Sequence, residues 1–154
     1  MQARGIQADY LIAATGTGGT QAGIECGLRL SNSKTKMLGI SVSHHTQPKE
    51  DEIAALCNDT LDLAGYTGRR FDQQEISVNY DYIGEGYGAV TQQALEAIRI
   101  AAETEGLILC HTYAGKAFAG MIDLIRKGIL TQEHTVIFLH TGGGIANFAH
   151  AELF

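Results

Sequence analysis

The residues best suited to chemistry form a glycine-rich turn, AATGTGGTQAG, which runs from Ala13 to Gly23. An apolar run precedes the turn and a helical pattern follows it, so its backbone N–H groups would converge at a helix N-terminus. The hydroxyl groups of Thr17 and Thr20 add further donors. This pattern favours an anion site, most often for phosphate, over a tight turn that uses glycine only for its backbone angles.

The spacing of this turn does not match either common nucleotide-binding motif. A dinucleotide fingerprint, GxGxxG, would need glycine where Gln21 stands, and a P-loop would need a Gly-Lys-Ser/Thr sequence that is not present. An unrelated nucleotide-binding α/β module is therefore kept only as an alternative.

Three more glycine-containing segments carry polar side chains. The segment GEGYG contains Tyr87, HTYAGK contains Tyr113, and HTGGG contains Thr141. A tyrosine close to glycine, as Tyr87 is at one residue and Tyr113 at two, gains little packing but can present its hydroxyl group in a cleft, where it can carry a proton. We therefore favour a functional role for both tyrosines over a role as packing aromatics.

The apolar patterns between these segments predict the elements that position them. Strands are expected over residues 9–14, 37–43, 76–82, 107–110 and 135–140, and helices over residues 20–30, 48–64, 91–106 and 116–127. Alternating strands and helices predict a single α/β segment over residues 1–154 with a mainly parallel sheet. Ligands of such sheets collect at the carboxyl ends of the strands, where TGTGGT, HTYAGK and HTGGG are expected.

The composition excludes several classes of partner. The chain has 154 residues, of which 45% are hydrophobic and 18% charged, and its formal net charge is -6. A globular protein of this acidity offers no basic surface to nucleic acid or to an anionic membrane. No apolar run is long enough to span a membrane, and the N-terminus lacks a signal pattern. A cytoplasmic protein with a small ligand is expected.

The cysteines and histidines give no sign of a metal site. Cys26, Cys57 and Cys110 form no CxxC pair and are expected to be reduced and buried. None of the six histidines has a partner at metal-ligand spacing, so structural or surface roles are favoured. His111 and His140 follow predicted strands and are kept as candidates for substrate contact.

Four segments, GTGGTQAG, GEGYGAVT, EGLILCHTYAGKAFAGMIDLIRKG and FLHTGGG, come in the order and at the separations of a known family. From about Asp9 to Phe148 the chain resembles the pyridoxal-phosphate enzymes that include D-cysteine desulfhydrase and 1-aminocyclopropane-1-carboxylate deaminase. The resemblance implies a three-layer αβα fold, the C-terminal part of the large domain of a fold type II enzyme.

The resemblance also implies roles for the candidate residues. The cofactor is expected to be pyridoxal phosphate, with its phosphate held by Thr17, Gly18, Gly19 and Thr20. Tyr113 would lie beside the cofactor ring, Tyr87 would approach the substrate and assist proton transfer or hold its carboxylate, and Thr141 would lie near the pyridine nitrogen.

Two positions separate the branches of the family. After the ring tyrosine the deaminases carry glutamate and the desulfhydrases threonine, whereas this chain has Ala114. Without a charged partner the ring nitrogen is less readily protonated, which weakens the electron sink. At the position of Thr141 the desulfhydrases have threonine and the cyclopropane deaminases leucine. The resemblance thus favours thiol elimination from a small amino acid, giving a keto acid and ammonia.

The family's cofactor-attaching lysine precedes the phosphate turn, and no lysine of this chain is a good candidate for that role. Lys34, Lys36 and Lys49 are expected in polar surface contexts, Lys127 ends a helix, and Lys116 matches a family position that is not assigned to cofactor attachment. The chain is therefore expected to be a C-terminal half that forms homo-oligomers or associates with an N-terminal half. The alternative is a non-catalytic or split-enzyme fragment that binds a phosphate-bearing ligand or a partner chain.

Overall fold

The computed structural model describes residues 6–43 and 48–153, which form a parallel sheet between two layers of helices. In chain order the elements are β1 (Tyr10–Thr15), α1 (Gly19–Leu30), β2 (Lys36–Ser41), α2 (Lys49–Leu63), β3 (Val78–Asn79), α3 (Gln92–Glu105), α4 (Ala114–Arg126) and β4 (Val136–Phe138). The strands lie in the order β3-β2-β1-β4, and every neighbouring pair is parallel. This confirms the α/β prediction.

The two faces of the sheet are both buried, which explains why its central strands are apolar runs. Leu11 and Ala13 of β1 pack with Met37 and with the helix α1. Between them, Ile12 points to the opposite face, where it packs with Ile40 and with α4. Because side chains alternate along a strand, a strand covered on both sides needs apolar residues at every position. With α2 beside α1 and α3 beside α4, the result is the predicted three-layer arrangement.

The helix ends follow local signals in the sequence. The Thr91 side chain accepts a hydrogen bond from the Ala94 backbone N–H at 3.1 Å, which caps the start of α3. Gly106 ends the same helix in the left-handed conformation, with φ at 66°.

The three cysteines are free and buried, as predicted. No helix in the described ranges is both long and apolar enough to cross a membrane.

The predicted strand over residues 76–82 is shorter in the structure. Only Val78–Asn79 pairs with β2, and the 3-10 turn Gln73–Glu75 precedes it. The Asn79 side chain accepts a hydrogen bond from the Asp81 backbone N–H at 2.8 Å. Such a local bond turns the chain and competes with the ladder of an edge strand.

The predicted buried strand over residues 107–110 is wrong. Leu109 and Cys110 are buried, but Leu107 and Ile108 are 40% and 60% exposed, and no described strand pairs with them. The Leu107 backbone N–H instead donates to the Ala101 carbonyl at 3.1 Å, closing the end of α3. An apolar run indicates burial, whereas a strand also needs a hydrogen-bonding neighbour.

Candidate active site

The glycine-rich turn joins β1 to α1 and leaves open space above the first residue of the helix. Gly18 caps the helix with φ at 91°, and a Cβ added there would lie 2.7 Å from Ile53 Cγ1. A Cβ added at Gly19 would meet no atom of residues 6–43 and 48–153 within 4 Å. Thr17 and Thr20 are exposed beside this space. The turn therefore needs glycine at position 18 and offers room for a ligand at position 19.

The electrostatics of this helix start suit an anion. Among the described residues no side chain caps the first backbone N–H groups of α1, and its first turn contains no acidic residue. Uncapped N–H groups and the positive end of the helix dipole attract negative charge. The residues present therefore fit a phosphate group such as that of pyridoxal phosphate.

A buried polar network supports the turn from below. The Thr15 hydroxyl donates to Gln21 Oε1 at 2.6 Å, and Gln21 Nε2 donates to the Ser77 carbonyl at 3.0 Å. Gln21 is only 1% exposed, so these bonds join β1, α1 and the start of β3 inside the protein. Sequence reasoning used Gln21 only to reject a dinucleotide motif, because its partner Ser77 is far away in the chain.

A buried carboxyl group lies one turn further along α1. Burial raises the pKa of Glu25 from 4.5 to about 7, although the hydrogen bond with Gln21 and the charge of Arg29 act in the opposite direction. The side chain therefore changes its charge near neutral pH, close to the network that supports the glycine turn.

The contribution of Glu25 to stability is expected to fall as the pH rises from about 4.5 to 7. In this window the folded chain keeps the Glu25 proton that the unfolded chain has lost, so unfolding becomes easier with each step in pH. Replacing Glu25 by glutamine should remove this slope and stabilise the chain above pH 7 by about 1–2 kcal/mol. Urea unfolding at a series of pH values measures the effect.

The matched control is Glu103→Gln, which changes an exposed glutamate on α3. This variant should keep the pH slope of the unmutated chain. An unchanged slope in Glu25→Gln would contradict the assignment of the slope to Glu25.

The structure brings the two candidate tyrosines into direct contact. Their hydroxyl groups hydrogen-bond to each other, and the ring centroids are 5.8 Å apart with planes at 69°. Tyr113 stands just before α4, whereas Tyr87 is 63% exposed in the turn from Gly84 to Gly88. The hydrogen bond with Tyr87, followed by partial burial, raises the pKa of Tyr113. Tyr113 therefore keeps its proton at neutral pH.

The HTGGG segment lies against the turn that carries Tyr113. The Cys110 thiol donates to the Gly142 carbonyl at 3.7 Å, and a Cβ at Gly143 would lie 3.7 Å from Tyr113 Cδ2. Both glycines have positive φ, and Thr141 beside them is exposed. This turn follows β4, which is parallel to β1, so it leaves the sheet at the same edge as the glycine turn before α1.

The position after Tyr113 offers no polar group. Ala114 is buried and packs in an apolar cluster with Ile98 and Leu109. A charged or hydroxyl partner for a ring nitrogen is therefore not supplied from this residue, as its identity in the sequence indicated.

Two lysines are more buried than sequence reasoning suggested. Lys49, which was expected at the surface, is buried and forms an ion pair with Glu52 at the start of α2. Lys116 is fully buried in α4, where its amino group donates to two backbone carbonyls. The sequence pattern placed both lysines near the start of a helix, but their burial depends on how the helices pack in the folded chain.

The histidine candidates differ in their surroundings. His111 is buried, its ring contacts that of His150 edge-to-face, and its Nδ1 has no hydrogen-bond partner among the described residues. Burial, with the nearby His150 and Lys116, lowers the pKa of His111. His140 is exposed, and His44 and His45 lie outside the described residues. Within the part of the chain that the structure describes, no cluster of three or more suitable side chains could hold a metal ion.

These features define an α/β protein with a glycine-rich helix start that suits an anion and with other glycine-rich turns at the carboxyl edge of a parallel sheet. Residues 1–142 match the family described as pyridoxal-phosphate dependent enzyme. The chain therefore belongs to this family of enzymes, whose cofactor is pyridoxal phosphate.

Curated relatives and a solved structure agree with this assignment. The chain is 36% identical to a 1-aminocyclopropane-1-carboxylate deaminase of Rhizobium leguminosarum bv. viciae, over 90% of this chain and 40% of the relative. It is 33% identical to a putative deaminase of the same name from Pyrococcus furiosus, over 96% of this chain and 43% of the relative. A crystal structure of an ACC deaminase homologue superposes with a TM-score of 0.79 at 30% identity, covering 97% of this chain and 45% of that one. The chain thus spans less than half the length of these proteins.

Proposed function

We propose that the chain is the C-terminal part of a pyridoxal-phosphate-dependent lyase or deaminase that acts on a small amino acid. The observation that carries this proposal is the uncapped start of α1 with open space above Gly19, in a chain of this family. Because the relatives are more than twice as long, catalysis is proposed to need the rest of the enzyme, and the chain would associate with it or form homo-oligomers.

In this proposal the residues of the glycine-rich turn anchor the cofactor phosphate, and the two tyrosines transfer protons. Pyridoxal phosphate, when bound, draws electrons away from the α-carbon of an amino acid. The anchoring residues would be Thr17, Gly18, Gly19 and Thr20, with Thr141 near the ring nitrogen. Tyr113, which would lie beside the ring, holds a proton on its Oη at neutral pH, and its raised pKa strengthens the hold on that proton. The Tyr87 Oη shares that proton through their hydrogen bond and can exchange it with the substrate.

The choice of substrate is proposed from positions 114 and 141. Ala114 provides no polar partner and Thr141 is the residue typical of the desulfhydrase branch, so we propose thiol elimination from a D-cysteine-like amino acid. Opening of 1-aminocyclopropane-1-carboxylate is the second candidate, because the named relatives carry that activity in their descriptions.

Ligand binding by the chain provides the first test. We expect pyridoxal phosphate to bind at least about tenfold more tightly than pyridoxal, because charge-assisted hydrogen bonds to the phosphate are lost with pyridoxal. Isothermal titration with both compounds measures this difference, and NAD serves as the competing ligand class. Binding of NAD without binding of pyridoxal phosphate would support the nucleotide-binding alternative instead.

Activity distinguishes the two substrate candidates. The chain is produced together with the part of the Rhizobium leguminosarum relative that lies outside its matched region. Release of sulfide and keto acid from D-cysteine supports the desulfhydrase proposal, whereas keto acid from 1-aminocyclopropane-1-carboxylate supports the second candidate. A copurifying pair that binds pyridoxal phosphate but turns over neither compound would favour the non-catalytic alternative.

A further inference from the structure

We propose that Lys116 is a positioning residue that holds the Tyr87 hydroxyl group opposite Tyr113. The inference rests on the proposed function in one respect, which is that the tyrosine pair takes part in the reaction. The placement of Tyr87 by Lys116 stands on contacts within this chain.

Both hydrogen bonds of the Lys116 ammonium group go to one segment of the chain, residues 83–86. Its side chain is 0% exposed, and Nζ donates to the Ile83 carbonyl at 2.7 Å and to the Gly86 carbonyl at 3.0 Å. Burying an ammonium group is costly unless its hydrogens are bonded, and burial lowers the pKa of Lys116. A lysine held inside the protein with backbone carbonyls as acceptors therefore constrains the segment that supplies them.

One of the two carbonyls, that of Ile83, lies just before the turn that carries Tyr87, and the other, that of Gly86, lies inside it. The Gly86 carbonyl belongs to the peptide group that joins Gly86 to Tyr87, so the lysine bonds directly to the backbone before the tyrosine. Gly84, Gly86 and Gly88 all have positive φ, with values of 71°, 152° and 76°. Glycine at three positions makes the turn intrinsically adaptable. Contacts from outside the turn are therefore needed to hold one conformation.

Tyr87 lacks the burial that would fix it independently. With 63% of its surface exposed, its ring is placed by the backbone of the turn and by Tyr113. Tyr113 stands immediately before α4, and Lys116 lies in the first turn of that helix. The start of α4 thus carries both the Tyr113 hydroxyl group and the Lys116 ammonium group, which holds Tyr87 within hydrogen-bonding distance of Tyr113.

The test is a residue-resolved titration of the tyrosines in the whole chain. Tyrosine labelled with 13C at Cζ reports phenol ionisation by NMR, and the Tyr87→Phe and Tyr113→Phe variants assign the signals. In Lys116→Met we expect the Tyr113 pKa to fall toward its ordinary value, as it should in Tyr87→Phe, because the hydroxyl contact is lost. Lys127→Met, which removes an exposed lysine just after the same helix, should leave the titration unchanged. A folded Lys116→Met chain with the Tyr113 titration of the unmutated chain would overturn the proposal.

A second measurement covers a Lys116→Met chain that fails to fold. In the unmutated chain, the 15Nζ signal of Lys116 should show slowed hydrogen exchange and nuclear Overhauser contacts with Gly86. An Nζ signal that exchanges as fast as that of Lys127 would overturn the proposal. Neither readout uses cofactor or substrate, so a chain that binds no pyridoxal phosphate would contradict the proposed function and leave this inference standing. In the assembled enzyme, Lys116→Met should lower kcat by about tenfold or more with a smaller change in KM.

Discussion

Replacing Tyr113 by phenylalanine is expected to lower kcat of the assembled enzyme by about 10²–10⁴-fold, the range typical of a lost general acid or base. The variant keeps the ring but removes the hydroxyl group that hydrogen-bonds to Tyr87. Tyr87→Phe should cause a loss of similar size, because it removes the hydrogen-bond partner through which Tyr113 would exchange a proton with the substrate. Initial rates of keto acid release from the preferred substrate measure both effects.

The double variant gives the sharper result. If the two hydroxyl groups act as one unit, Tyr87→Phe combined with Tyr113→Phe should be little worse than either single change. Tyr66→Phe is the control, since Tyr66 packs against the apolar cluster between α1 and α2. Losses that multiply in the double variant would show that the tyrosines act separately and would contradict their proposed shared proton.

The second large effect is expected at the glycine turn. Gly18→Ala should lower the free energy of unfolding by about 2–3 kcal/mol, because its Cβ would lie 2.7 Å from Ile53 Cγ1 and its φ is 91°. The same change should weaken binding of pyridoxal phosphate, since the turn must shift to accept the methyl group. Urea unfolding and isothermal titration measure the two consequences.

The neighbouring glycine provides a matched control. Gly19→Ala adds the same methyl group at the first residue of α1, where a Cβ meets no atom of the described part of the chain within 4 Å. Its free energy of unfolding should stay within about 0.5 kcal/mol of the unmutated value or rise slightly, because alanine favours helix. Equal stability losses in the two variants would contradict the steric account of Gly18.

The helices and the central strands could be predicted from the sequence because their signals are local. The apolar run before Gly16 becomes β1, and Thr91 and Gly106 mark the two ends of α3. The predicted strand over residues 107–110 failed for the opposite reason. Its pairing depends on a neighbouring strand, and an apolar run contains no information about that neighbour.

The candidate site likewise has a part that local sequence signals predict and a part that depends on packing. The sequence by itself determined a glycine-rich turn between β1 and α1, because the glycine spacing and the following helix lie within a few residues, and its anion binding remains a prediction. It also marked Tyr87 and Tyr113 through their glycine neighbours and through the family resemblance.

Only the tertiary structure decided how these groups meet. The hydrogen bond between the tyrosines, the link from Gln21 to Ser77 and the burial of Lys116 beneath the turn of Tyr87 all join residues from separate elements. Such contacts depend on how β-strands and helices pack, and packing brings together side chains that no local pattern relates. The sequence therefore determines which chemical groups the candidate site contains, whereas the fold determines their hydrogen-bond partners and their pKa values.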